Sequence, residues 1–212
     1  MRAALPADWQ VEHPDLPGFG DAPPLAEPSC RAYVDALSPL VRADTHLVGH
    51  DYGGLLAAMI AAERPVASLT LSSTALGLGW LPAMITAWPP LHWYFYRAHA
   101  GRRWLAMGVG EARREEWLRC FSGASPALME GIARRLPVIA GHRLRPEAPT
   151  LCLWGDADRS VPVPYARLLA ARLGATLTLL PGLRHYGMWE DPERYAAALT
   201  AFWDRVGPRP RR

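Results

Sequence analysis

The chain has 212 residues and half of them are apolar, which is enough to bury one substantial core and argues against a disordered chain. Its formal net charge is only +3, its basic residues are scattered arginines, and no basic stripe interleaves with aromatics, which argues against a nucleic-acid surface. No apolar run reaches the ~18 residues of a membrane span, no charged and then apolar leader opens the chain, and Cys30, Cys120 and Cys152 lack CxxC or metal-ligand spacing, so a cytoplasmic protein with free thiols is expected.

Taken in order, Met1 to Asp8 read as the end of a helix and Trp9 to His13 as a strand. Pro14 to Ala22, rich in glycine and proline, is a loop. Ser29 to Val41 sets Ala32, Val34, Leu37, Leu40 and Val41 at the spacing of an amphipathic helix. Thr45 to Val48 reads as a short buried strand, and the apolar run Leu55 to Ala62 as a helix packed on it. Between them, Gly49-His50-Asp51-Tyr52-Gly53 must turn a strand abruptly into a helix, which calls for glycines on both sides of the turn residue. Asp51 is thereby expected at the carboxyl end of the sheet, above helix N-terminal amides, where α/β proteins place their chemistry.

Beyond Arg64-Pro65, Val66 to Ser72 reads as the next parallel strand, buried on both faces. From about Thr74 to Pro149 the strand signals stop, and Trp80, Trp88, Trp93, Trp104 and Trp117 crowd into helical segments with many arginines. Strand character returns at Thr150 to Trp154 and again at Thr176 to Leu180, with a helix at Pro164 to Leu173 between them and an amphipathic helix at Tyr195 to Val206. Strands alternating with helices in this way make a mainly parallel sheet.

Several stretches together resemble the α/β-hydrolase superfamily. Gly49 to Gly53 is similar to its nucleophile elbow, and His50-Asp51-Tyr52-Gly53-Gly54 resembles the branch of epoxide hydrolases and haloalkane dehalogenases, with Asp51 as nucleophile. Gly155-Asp156-Ala157-Asp158-Arg159-Ser160-Val161-Pro162 resembles the acid loop, with Asp158 as the acid and Asp156 as a turn residue. Gly182 to Glu193 resembles the segment of the catalytic histidine, here His185, trailed by Asp191-Pro192-Glu193. Asp15 to Ala22 is similar to the family's Asp-x-x-Gly-x-Gly-x-Ser loop, with Ala22 where serine is usual. Nucleophile, acid and histidine follow in the family's order.

The resemblance implies an α/β-hydrolase fold, a mainly parallel sheet with helices on both faces. Its core would be formed by residues 1–73 and 150–206, with a helical cap at 74–149 inserted after the sixth family strand and a tail at 207–212. Only Met1 to His13 precede the Asp15 loop and no His-Gly-x-Pro occurs, so it also implies an N-terminally truncated member lacking the first strands and one oxyanion donor.

An aspartate at the elbow selects a chemistry. It is ionised at neutral pH and needs no base to attack. Attack on saturated carbon gives an alkyl ester of Asp51 that water can cleave, whereas attack on an ordinary ester would give a mixed anhydride. His185, oriented by Asp158, would activate the water, and the backbone N–H of Tyr52 would hold the developing oxyanion. The resemblance also implies a cap tyrosine as donor to an epoxide oxygen, a task suited to a neutral phenol; Tyr94 and Tyr96 are the candidates, and their i, i+2 spacing puts at most one of them toward the pocket. They favour an epoxide over a haloalkane as substrate; Tyr52 stands where dehalogenases, and many epoxide hydrolases too, carry a tryptophan, so that position separates the two only weakly. His46, His92, His99 and His142 read as structural or surface groups, and His50 as packing under the elbow. The reaction requires no cofactor and no metal. The partners expected are a small apolar organic substrate and water, with a homodimer allowed and no nucleic acid or membrane involved. The alternative from another class is a non-catalytic binding or interaction module on the same fold.

Overall fold

Among the described residues, four strands carry the fold: β1 (His46–His50), β2 (Ser68–Ser72), β3 (Thr150–Gly155) and β4 (Thr176–Leu180), all parallel and in the order β1-β2-β3-β4. The computed structural model describes residues 2–74, 108–113, 115–116 and 146–207, so the cap expected at 74–149, including Tyr94 and Tyr96, lies very largely outside the described residues. Every residue of β2 and β3 is buried, as in a parallel sheet covered on both faces. Successive residues of β3 serve opposite layers: Cys152 and Trp154 face one, Leu151 and Leu153 the other.

The first layer holds α1 (Cys30–Leu37), α2 (Tyr52–Glu63) and α3 (Val163–Leu173). Ser29 caps α1, its hydroxyl accepting the Ala32 N–H at 3.1 Å. The helical periodicity through Val41 is interrupted after Leu37 because Pro39 offers no N–H, and the chain tightens into a 3-10 turn, Ser38–Leu40. α2 buries Leu55, Leu56, Ala57, Ala58, Ile60 and Ala61, apolar nearly all round as an inner helix must be. The second layer is α5 (Pro192–Val206), which follows the one-turn helix α4 (Gly187–Glu190). Asp191 caps α5 by accepting the Arg194 N–H at 3.0 Å, Pro192 takes the first helical position, and Tyr195, Leu199, Phe202 and Trp203 pack on Leu151, Leu153 and Leu180.

Two expectations at the start of the chain are corrected. Where a helix end was expected in Met1 to Asp8, the described residues 2–8 form only a 3-10 turn, Arg2–Ala4, and Trp9 to His13 is irregular rather than a strand. Side-chain packing orders the stretch instead: the Trp9 indole stacks on Trp203 with ring centroids 4.8 Å apart and packs beside His46 at 5.3 Å.

Candidate functional site

The turn from β1 into α2 puts Asp51 at φ 47°, ψ −117°, a backbone conformation that is costly for a residue with a Cβ. Neighbours hold it there: Asp51 donates its N–H to the Ser72 carbonyl at 2.9 Å, and its own carbonyl accepts the Gly54 N–H at 3.1 Å. A Cβ on Gly49 would lie 2.4 Å from the Gly53 carbonyl oxygen, and one on Gly54 would lie 1.9 Å from Thr74 Oγ1. At Gly53 a Cβ would meet nothing within 4 Å. The close approaches therefore fall on Gly49 and Gly54, and not on Gly53 as the five-residue pattern suggested.

Asp158 follows β3 and is fully enclosed, its side chain 0% exposed. Its Oδ1 accepts the N–H groups of Ser160 at 2.8 Å and Val161 at 3.0 Å, and its Oδ2 lies 3.0 Å from His185 Nδ1. Ser73, held at φ 48° just after β2, gives it a further hydroxyl. His185 follows β4, is 2% exposed, and points Nε2 at Asp51 Oδ2 across 3.9 Å. Carboxylate, imidazole and carboxylate are thus in line, each delivered by the carboxyl end of a different strand.

The loops bearing Asp158 and His185 are packed tightly together. Asp156 Oδ1 accepts the Gly182 N–H at 2.6 Å, Ala157 donates its N–H to the Leu183 carbonyl at 3.0 Å, and Gly155 leaves only the space of a hydrogen beside that carbonyl, where a Cβ would come within 2.1 Å. Asp156, read from sequence as a turn residue, is the clasp between the two loops.

Charges in this group set one another. Burial on its own would lower the His185 pKa, but the hydrogen bond its Nδ1–H donates to Asp158 and the negative charges of Asp51 and Asp158 outweigh it, and the imidazole is raised above its ordinary 6.5. Burial would raise Asp158, yet the hydrogen bond and charge of His185, with the Val161 N–H and the Ser73 hydroxyl, hold it below the usual carboxylate range. Asp51 is raised, first by crowding from surrounding protein; His185 pulls it back, Asp158 pushes it up, and the Tyr52 N–H lowers it. Its side chain remains 52% exposed, so water screens part of this effect.

His50 packs beside His185 rather than only under the turn, with ring centroids 4.8 Å apart, and its Nδ1 lies 3.5 Å from Ser72 Oγ. Burial, then the neighbouring His185, lower its pKa well below 6.5, so it is neutral. His46, expected to be structural, bonds Ser68 Oγ through Nδ1 at 2.7 Å. The Tyr52 phenol turns into the core, 3.5 Å from Cys30 Sγ and edge-on to Tyr33, leaving its backbone N–H at Asp51. A cavity of about 620 Å³ runs along β1, lined by Trp9, Val11, His46, Val48 and Trp203; Asp51, Asp158 and His185 do not line it, but His50 does. Among the described residues no group of three His, Cys, Asp or Glu side chains could hold a metal ion, and no helix is long and apolar enough to cross a membrane.

Ser73 and Glu190, which holds the residue before His185, escaped the sequence reading. For Ser73 a signal existed: it is the first residue beyond a buried strand, the same place in the sheet that Asp51 occupies. Glu190 offered none beyond its position in the acidic run after His185.

Residues 1–198 match the model of the Alpha/beta hydrolase family. Two curated relatives are both named pimeloyl-[acyl-carrier protein] methyl ester esterase. The one from Neisseria meningitidis (serogroup A) is 28% identical over 95% of this chain and 70% of its own; the one from Aromatoleum aromaticum is 29% identical over 92% and 88%. Among solved structures, a thermophilic esterase from Thermogutta terrifontis superposes with a TM-score of 0.71 over 91% of this chain and 79% of its own at 20% identity, a likeness of fold. These relatives carry the names of esterases, not of epoxide hydrolases or dehalogenases.

Proposed function

The chain belongs to the alpha/beta hydrolase family, and from that premise we propose a hydrolase in which Asp51 is the nucleophile, an epoxide is the substrate and a haloalkane is the second choice. The observation that carries the reading is the carboxylate at the strained apex of the β1–α2 turn, facing His185 Nε2 across 3.9 Å with Asp158 on the far side of the imidazole.

In the first step an Asp51 carboxylate oxygen bonds to an epoxide carbon as that carbon's bond to the ring oxygen breaks, and the alkoxide formed takes a proton from water, leaving a hydroxide that is neutralised when the second step releases Asp51 as its acid. In the second, His185 Nε2 takes a proton from water as the water oxygen attacks the Asp51 carbonyl carbon. The Tyr52 N–H stabilises the oxyanion, the ester bond breaks, and the diol leaves with the proton that His185 returns. Asp158 holds the imidazole in the tautomer with Nε2 free and stabilises it once protonated. The raised His185 pKa suits a base that must gain a proton.

The test is to trap the ester. His185→Gln incubated with styrene oxide or a bromoalkane is expected to gain the mass of the ring-opened epoxide or of the alkyl group, and Asp51→Asn in the same background is expected to gain nothing.

A second reading, hydrolysis of a carboxylic ester, is favoured by the names of the relatives. There His185 would direct water at the acyl carbon with Asp51 beside it, and no alkyl group would reach Asp51. Turnover of methyl esters without any adduct across epoxides and haloalkanes would select this reading over the first.

A further inference from the structure

His185 lies on a short irregular stretch between β4 and α4, so its aim depends on what fixes that stretch. The residue before it is held twice by one carboxylate. Arg184 donates its backbone N–H to Glu190 Oε2 at 2.5 Å and its Nε–H to Glu190 Oε1 at 2.6 Å. Glu190 is only 12% exposed against 42% for Arg184, so the acceptor side of the pair is largely shielded from water. The same carboxylate rests on Gly108, whose φ is 94° and where a Cβ would lie 2.5 Å from Glu190 Cδ. Beside this contact Val109 is buried, and the Arg113 guanidinium lies over the Trp189 ring, 5.5 Å from its centroid.

From these contacts we infer that Glu190 is a positioning residue for His185: its carboxylate locks Arg184 and seats the His185 stretch against residues 108–113. The consequence for chemistry rests on His185 acting as the base in the proposed reaction. A base whose Nε2 is displaced by even a fraction of an ångström loses its alignment with the attacking water, while substrate contacts elsewhere are unaffected. Gly108 belongs to the same device, because only a residue without a side chain leaves room for the carboxylate.

Glu190→Ala, Glu190→Gln and Gly108→Ala in the full chain test this. In Glu190→Ala, kcat is expected to fall about tenfold or more with KM within about twofold, the low-field proton resonance of the His185 Nδ1–H to Asp158 bond is expected to shift or broaden, and the Arg184 amide is expected to exchange faster with solvent. Glu190→Gln keeps an acceptor for the Arg184 N–H and is expected to recover part of each loss; Gly108→Ala is expected to reproduce them in milder form. Unchanged kcat and an unchanged His185 resonance in Glu190→Ala, or in Glu190→Gln if the alanine variant does not fold, would overturn the inference, even alongside lower thermal stability. The resonance and exchange readouts need no substrate, so a failure of the proposed reaction is told apart from a failure of this inference.

Discussion

At Asp51 a strained backbone, a half-open carboxylate and a neighbouring imidazole meet, and substitutions nearby separate their contributions. Asp158→Asn leaves the shape of the acid loop but presents the wrong partner to His185 Nδ1; turnover is expected to fall by about 10³–10⁴. The base limb of the pH profile should move with it. His185 is raised above 6.5 by Asp158 and Asp51, so wild-type activity is expected to rise with pH through a midpoint above 6.5, and in Asp158→Asn that midpoint should fall. Steady-state rates from pH 5 to 9 check both. The glycines make an equally specific pair. Gly54→Ala would force its Cβ into Thr74 and is expected to destabilise the fold by about 1–3 kcal/mol. Gly53→Ala, inside α2 with open space around it, is expected to stabilise it by about 0.5–1 kcal/mol. Chemical denaturation of the two proteins decides, and equal destabilisation would contradict the placement of the close approach.

Among the elements, buried strands and the helices packed on them were legible because their periods are strong: Thr176 to Leu180 is recovered to the residue, and β1, β2, β3 and α3 to within a few positions. What sequence missed was set by partners distant in the chain. Trp9 to His13 alternates like a strand, yet its order comes from stacking on Trp203 and His46. Helix α1 stops where Pro39 withdraws an N–H, a local rule that the apolar spacing through Val41 overrode in the reading. In the site, Asp51, Asp158 and His185 were singled out by the resemblance of their loops to the family's motifs, each following a predicted strand, and the fold brings the three together. The clasp made by Asp156, read only as a turn residue, and the bonds of Ser73 and Glu190 were not legible, since each acts by hydrogen bonding to a loop that only folding brings near. The α1 boundary itself can be probed. Ser29→Ala removes the cap to Ala32 and is expected to lower stability by about 1 kcal/mol in thermal or urea unfolding without altering the site.

For the whole molecule, the enclosed Asp158–His185 pair links folding to pH. His185 is raised, so its contribution is complete below 6.5 and is lost as pH climbs through its folded value. Asp158 is lowered, so its contribution is complete above 3.8 and is lost as pH falls through its folded value. His50 works in the opposite sense from His185: it is buried neutral, and stability falls as pH drops below 6.5 because the unfolded chain takes up the proton. His185→Gln is therefore expected to abolish the loss of stability that wild type shows as pH rises past 6.5, and thermal midpoints measured across that range test it. The face-to-face indoles of Trp9 and Trp203, with His46 against both, have an optical consequence. Two aromatic transitions that close couple to each other, so the pair should give a near-ultraviolet dichroism band that vanishes in Trp9→Phe. The same band would then report, without any label, whether the first residues of the chain stay fastened to the last helix as temperature or pH is changed.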